Sequence, residues 1–289
     1  MGSDVVFNLA HTKIAGLQTL SSNPSAVKVL CLHGWLDNAA SFNRLTPYLS
    51  GLTHSSIDLA GHGLSDHRVA GSFYHLWDYA LDVVSILNLS NQSTWLVGHS
   101  MGGAVAMIVA AIAPEKVRGL VVLDNMGPLT AKPSERVSML QRSIQRMAKH
   151  REGRFARYET LDDMVGARMY GFTSLSREAA SELVERGAIL TDDDRWGWRH
   201  DHKLSFPSPY RMDEEGVAAL ISEIKCPALS LVAKEGVYAN REGEAFVNAR
   251  AAQFPWIKLK WLEGNHHFHL ERDTAPMVAE EVRKFIDQN

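Results

Sequence analysis

A chain of 289 residues, 45% hydrophobic and 22% charged, can bury a sizeable core and is longer than a single small module, which leaves two domains or one large domain with an insertion. Its 30 Lys and Arg stand against 33 Asp and Glu, a net charge of −3, so there is no basic excess for a phosphate backbone or an anionic membrane surface, and neither partner is expected. Two cysteines, Cys31 and Cys226, make neither a disulfide framework nor a metal-ligand cluster. No apolar run reaches the roughly 18 residues of a membrane span and the first residues carry no secretory pattern, so a cytoplasmic location is expected.

In chain order, residues 5–20 alternate apolar and polar side chains around Ala10-His11-Thr12, the pattern of an antiparallel edge hairpin. Three mostly apolar runs follow, 27–32 stopped by His33-Gly34, 55–59 stopped by Gly61, and 94–97 stopped by Gly98; each reads as a buried strand feeding a polar loop. Between them Leu76, Ala80, Val83, Val84 and Leu87 fall at helical spacing, and a small-residue helix from Met101 to Ala113 ends at Pro114. Strand patterns return at 119–124, 228–233 and 257–262, with helices over 241–252 and 275–285. Strand alternating with helix implies a mostly parallel sheet flanked by helices. From 129 to 213 the alternation stops and helical stretches such as 137–147 appear without a strand pattern. The segment is expected to be a helical cap, inserted after the strand that ends at Asp124, so that 1–128 and 214–289 form the core and 129–213 the cap.

Gly98-His99-Ser100-Met101-Gly102 fits G-x-S-x-G directly after an apolar strand and directly before a helix. Flanking glycines permit a turn tight enough to push the Ser100 hydroxyl above the sheet, and the helix start places backbone N–H groups near it. A serine hydroxyl is protonated at neutral pH, so it needs a base, and histidine has the suitable pKa. Of 13 histidines, His266 follows the last strand, whose carboxyl end shares a rim with Ser100, and His267 and His269 are its immediate rivals. His33, His62 and His99, each beside a glycine, are expected to make structural hydrogen bonds. Adjacent loop histidines without a carboxylate cluster do not close a zinc site, and no metal is expected.

These motifs resemble the α/β-hydrolase family over nearly all of the chain outside the presumed cap. His33-Gly34-Trp35 is similar to its oxyanion loop, Asp58-Leu-Ala-Gly-His-Gly-Leu-Ser65 to the next loop, 98–103 to its nucleophile elbow, and Gly264-Asn265-His266 with His269-Leu270-Glu271 to its histidine loop, in the family's order. More narrowly, His33-Gly-Trp-Leu-Asp-Asn-Ala39, Ser41-Phe42, Asp194-Arg195 and Gly264-Asn-His266 resemble serine-hydrolase-like proteins. The resemblance implies an eight-stranded α/β-hydrolase fold, a triad containing Ser100 and His266, an oxyanion hole made by the main-chain N–H groups of Trp35 and Met101, and no cofactor.

Family members usually carry an aspartate beyond the strand at 228–233. This chain has Lys234-Glu235-Gly236-Val237-Tyr238-Ala239-Asn240 there. The resemblance therefore leaves two acids in view: Asp124, at a strand end from which relatives such as haloalkane dehalogenases supply theirs, and Glu235 as the alternative. Trp35, Trp196 and Trp198 are candidates to line an apolar substrate pocket. Arg142, Arg146, Lys149, His150 and Arg151 read as a solvated helix face. The expected activity is hydrolysis of a carboxylic ester, a small molecule with an apolar acyl or alcohol part, through an acyl-enzyme. A thioester, a lactone or a carbon–carbon bond on the same triad remains open, as does a non-catalytic receptor for a small ligand, and the oligomeric state is not read.

Overall fold

The computed structural model describes residues 2–150 and 156–289. The chain opens with the edge hairpin, β1 (Ser3–Asn8) antiparallel to β2 (Lys13–Thr19). There follow β3 (Lys28–Leu32), β4 (Thr53–Ile57), α1 (Leu76–Leu87), β5 (Thr94–His99), α2 (Met101–Ile112) and β6 (Val117–Leu123). Next come α3 (Arg136–Ala148), α4 (Leu161–Met169), α5 (Arg177–Gly187), β7 (Ala188–Leu190) and β8 (Trp196–Trp198). The chain returns through α6 (Glu214–Ser222), β9 (Ala228–Glu235), α7 (Val237–Glu242), α8 (Glu244–Ala252), β10 (Ile257–Asn265) and α9 (Ala275–Gln288).

Eight strands form one sheet in the order β1-β2-β4-β3-β5-β6-β9-β10. Only β2 runs antiparallel to its neighbours; every other pair is parallel. A parallel sheet is stable when both faces are covered. One face packs under α1, α2, α6 and α8 through residues such as Tyr79, Val105, Val217 and Val247. The other packs under α9 and the turns after β3 through Phe42, Leu49, Val282 and Phe285. The central strand β5 is buried along its whole length, which is why its sequence shows an unbroken apolar run in place of alternation. Because β3, β5, β6, β9 and β10 point the same way, the residues after them meet along one rim of the sheet. No helix among the described residues is long and apolar enough to cross a membrane.

Two expectations need correction. The helix expected over 241–252 is two helices, because Gly243 adopts φ 85 and ψ 150 between α7 and α8 and turns the chain. The 129–213 segment is not purely helical: β7 and β8 pair antiparallel, with a further bridge between Tyr158 and Trp196. Strands of three residues are too short for alternation to show in sequence. This segment has its own apolar cluster, in which Met164, Ala179 and Leu183 close on Leu270 from the turn after β10. It is also tied to the core by the Arg186 guanidinium on both oxygens of buried Asp58, with Nε at 3.0 Å from each. Arg142, Arg146 and Lys149 are exposed on or next to α3, as a solvated face requires, whereas His150 is half-buried and packs against His202 and Phe206; Arg151 lies outside the described residues.

Candidate active site

Ser100 lies between β5 and α2 at φ 50 and ψ −116, a left-handed conformation that costs a residue with a side chain of order 1–3 kcal/mol. Its neighbours make this turn possible. A Cβ on Gly102 would fall 2.1 Å from the Leu32 carbonyl oxygen, and one on Gly98 would fall 2.5 Å from that of Gly102, so α2 can start against the end of β3 only with glycine at both places. The turn is clamped to the end of β6: the Ser100 N–H donates to the Leu123 carbonyl at 2.9 Å, and the Ser100 carbonyl accepts from Asn125 Nδ2 at 2.9 Å.

His266 lies in the turn after β10, buried at 8% exposure. Its Nδ1 donates to Asp124 Oδ2. Asp124 follows β6 at φ 45, and its two oxygens also accept from the Ala233 N–H at 3.2 Å and the Val237 N–H at 3.0 Å. The end of β9 and the start of α7, where no aspartate stands, thus contribute main-chain donors to a carboxylate that follows β6. Gly236 between them lets the chain close, since a Cβ there would stand 2.3 Å from Asp124 Oδ1. Glu235 is exposed at the end of β9, and among the described residues its side chain makes no hydrogen bond to His266. Of the two carboxylates considered from sequence, the fold brings Asp124 to the histidine and leaves Glu235 outside.

Beside this pair lies a second one that motif reasoning did not single out. His267 Nε2 donates to Asp37 Oδ2 at 2.9 Å, and Arg168 from α4 donates to Asp37 Oδ1 at 2.8 Å. Burial alone would push the Asp37 carboxyl up, but His267 and then Arg168 hold it well below the usual carboxylate range. Burial lowers the pKa of His267, with Asp37 opposing. His267 is therefore a buried structural partner and no bystander. Asp37, His99 and His267 offer ligand atoms within 4.8 Å of one another, yet the Arg168 guanidinium already provides the cation that this carboxylate faces.

The glycine-flanked histidines do make structural hydrogen bonds. His33 Nδ1 donates to the Gly34 carbonyl at 2.7 Å while Nε2 accepts from the Leu59 N–H at 2.9 Å, and burial lowers its pKa to about 4. His62 Nε2 accepts from the Leu36 N–H at 3.2 Å, which holds the loop after β3. His99 Nε2 donates to the His266 carbonyl at 2.8 Å. His269 Nε2 meets Ser41 Oγ at 2.9 Å.

Two cavities, of about 490 Å³ and about 180 Å³, reach this rim, and Ser100, His266 and Trp35 line both. The larger is within the usual range for small-molecule sites; its walls include Phe73, Trp77, Phe206 and Tyr210. Met101 also lines it, and among the described residues no hydrogen bond occupies the main-chain N–H of Trp35 or of Met101. The Trp35 indole is fixed by Nε1 donating to the Leu204 carbonyl at 2.9 Å. Trp198 lines the smaller cavity, but Trp196 lines neither and packs in the apolar cluster of the 129–213 segment. The expectation for Trp196 is thereby corrected: two residues of strand advance the chain about 7 Å and carry its ring away from the opening.

The family model described as alpha/beta hydrolase fold matches residues 28–158. A serine hydrolase-like protein of Danio rerio is 31% identical over 276 residues, which cover 89% of this chain and 81% of that protein. An esterase of Mycobacterium tuberculosis is 24% identical over 281 residues, 96% of this chain and 88% of the esterase. Among solved structures, a hypothetical protein of Pseudomonas aeruginosa is 35% identical and matches with a TM-score of 0.91 over 98% of this chain and 99% of its own.

Proposed function

The chain belongs to the α/β-hydrolase family, and on that premise we propose that it is a serine hydrolase that cleaves the carboxylic ester of a small molecule with Ser100, His266 and Asp124. The observation that carries the reading is the buried Asp124–His266 contact on the same cavity walls as Ser100, itself held in a strained turn. Ser100 Oγ bonds to the carbonyl carbon while His266 Nε2 takes the hydroxyl proton. The N–H groups of Trp35 and Met101 hold the resulting oxyanion. Collapse breaks the carbon–oxygen bond, and the leaving alcohol takes the proton from Nε2. Water then attacks the acyl-enzyme with the same proton route and releases the acid. Asp124 keeps the imidazole in the tautomer with Nδ1–H and stabilises its charged form. The aromatic walls of the larger cavity support a substrate with an apolar acyl or alcohol part.

A fluorophosphonate probe with peptide mapping, followed by p-nitrophenyl esters of increasing acyl length, tests the reading. Label on Ser100 and turnover of the esters are expected. Folded protein that takes no label and turns over no ester would overturn it. A thioester or lactone preferred over every oxygen ester would keep the nucleophile and change the bond.

A further inference from the structure

The larger cavity is electropositive as well as aromatic. Lys203, Arg211 and Arg241 line it, and among the described residues the one carboxylate in its wall is Asp124, whose oxygens are committed to His266, Ala233 and Val237. The three cations differ in what they are bound to. Lys203 Nζ is spent on the carbonyls of Arg68 and Val69 at 3.0 and 2.9 Å and on Asp201 at 3.3 Å. Arg241 places Nε 3.1 Å from Glu242. The half-buried Arg211 has no hydrogen bond or ion pair to its side chain among the described residues. Burial, and then the like charge of Arg241, lower its pKa, with Glu135 and Glu242 opposing.

Arg211 is half-buried with its guanidinium donors uncommitted, on the same cavity wall as the exposed Arg241, so an anionic group entering the cavity can take those donors. The distance of Arg241 from the reacting centre is set by α7. Val237 donates its amide to Asp124, and Arg241 stands four residues further along α7, about 6 Å along the axis. Guanidinium groups recognise anionic oxygens through paired N–H donors.

We propose that the larger cavity takes an ester carrying a second, anionic oxygen group, a carboxylate or a phosphate, at the end of its acyl or alcohol part, and that Arg211 together with Arg241 binds that group. The inference deepens the esterase reading and rests on it for the bond that is cleaved, but the anion site can be tested separately.

The test compares kcat/KM for p-nitrophenyl hexanoate, the p-nitrophenyl monoester of adipic acid, and the p-nitrophenyl ester of 6-(phosphonooxy)hexanoic acid, together with a matching set in which the anionic group is on the alcohol. A tenfold or greater preference for an anionic ester is expected, and the set showing the larger preference identifies the end and the group. Arg211→Met should reduce the anionic-to-neutral ratio about tenfold, and Arg211→Glu should bring it below one. A ratio near one that neither variant changes would overturn the proposal. If the protein hydrolyses no ester, calorimetric titration of wild type and Arg211→Met with adipate and with the neutral hexanamide decides the site independently. Tighter adipate binding that is lost in Arg211→Met supports the site; equal or absent binding of the two ligands overturns it. Unfolding profiles show that each variant is folded, and Arg211→Lys, which keeps the charge, should retain part of the preference.

Discussion

Two imidazole–carboxylate pairs lie side by side at the carboxyl rim, made from neighbouring histidines. In one, Asp124 holds His266, and the cavities beyond the ring are lined by Ser100. In the other, Asp37 holds His267, and Arg168 closes on the same carboxylate from α4. The pairs are chemically alike, so their different prospects come from the third group. A hydroxyl across an open cavity can exchange a proton with substrate. The second pair borders the smaller cavity as well, but its third group is a guanidinium, which stays protonated and locks the pair in place. The second pair joins the loop after β3, the turn after β10 and the 129–213 segment at one point, and so fixes the position of the loop that carries Trp35.

The strongest way to break this comparison is to remove the two histidines in turn. His266→Ala, like Ser100→Ala, should lower kcat by about 10⁶, as loss of one member of a cooperating triad does, in protein with an unchanged unfolding profile. A similar loss of chemistry in folded His267→Ala, with His266→Ala active, would reverse the assignment. Next in size, Asp124→Asn should cost roughly 10⁴ in kcat by removing the charge that selects the tautomer, while Glu235→Gln stays within a factor of two or three of wild type; steady-state kinetics on one ester measures both.

The second pair should register in stability. Asp37→Ala leaves the half-buried Arg168 and the buried His267 without this acceptor, and about 3 kcal/mol of stability should be lost, read as a fall in the denaturant midpoint. An equal loss in Asp124→Ala would remove the contrast between a locked pair and an open one.

Acidification acts on the same region. His33 and His62 have folded pKa values lowered by burial to about 4 and about 3, below the 6.5 expected in the unfolded chain. The unfolded state therefore binds more protons as pH falls below 6.5, and stability present above that value should drain away between pH 6.5 and about 3. Thermal unfolding across that window should show a steady fall in Tm, and a flat profile would contradict burial of these rings in the neutral form. The smallest contrast is between two indoles: Trp198→Ala should raise KM several-fold because it lines the smaller cavity, whereas Trp196→Ala should act through stability, as removal of a packed aromatic does.

Much of the site is legible in sequence because its parts are local. Ser100 is recognisable from the glycines that its turn requires, and those same glycines avoid overlap with Leu32 and Gly102. The sheet follows from strand–helix alternation, and the turn after β10 from its place on the rim. The acid was less legible: Asp124 and His266 are 142 residues apart, and two strand ends offered a carboxylate. Which of them reaches the ring depends on β6 lying between β5 and β9 and on Gly236 leaving room for the Asp124 side chain.

By itself, then, the sequence determined the periodicities, the glycine-dependent turns and the residue types at each strand end, since these rest on interactions within a few positions of the chain. Tertiary structure alone decided the pairing of Asp37 with Arg168, 131 residues away, the bridge of Tyr158 to Trp196, and the meeting of Arg211 and Arg241 on one cavity wall. Each of these depends on which distant surfaces pack together, and contact over a few ångströms between segments far apart in the chain leaves no period or motif in either one.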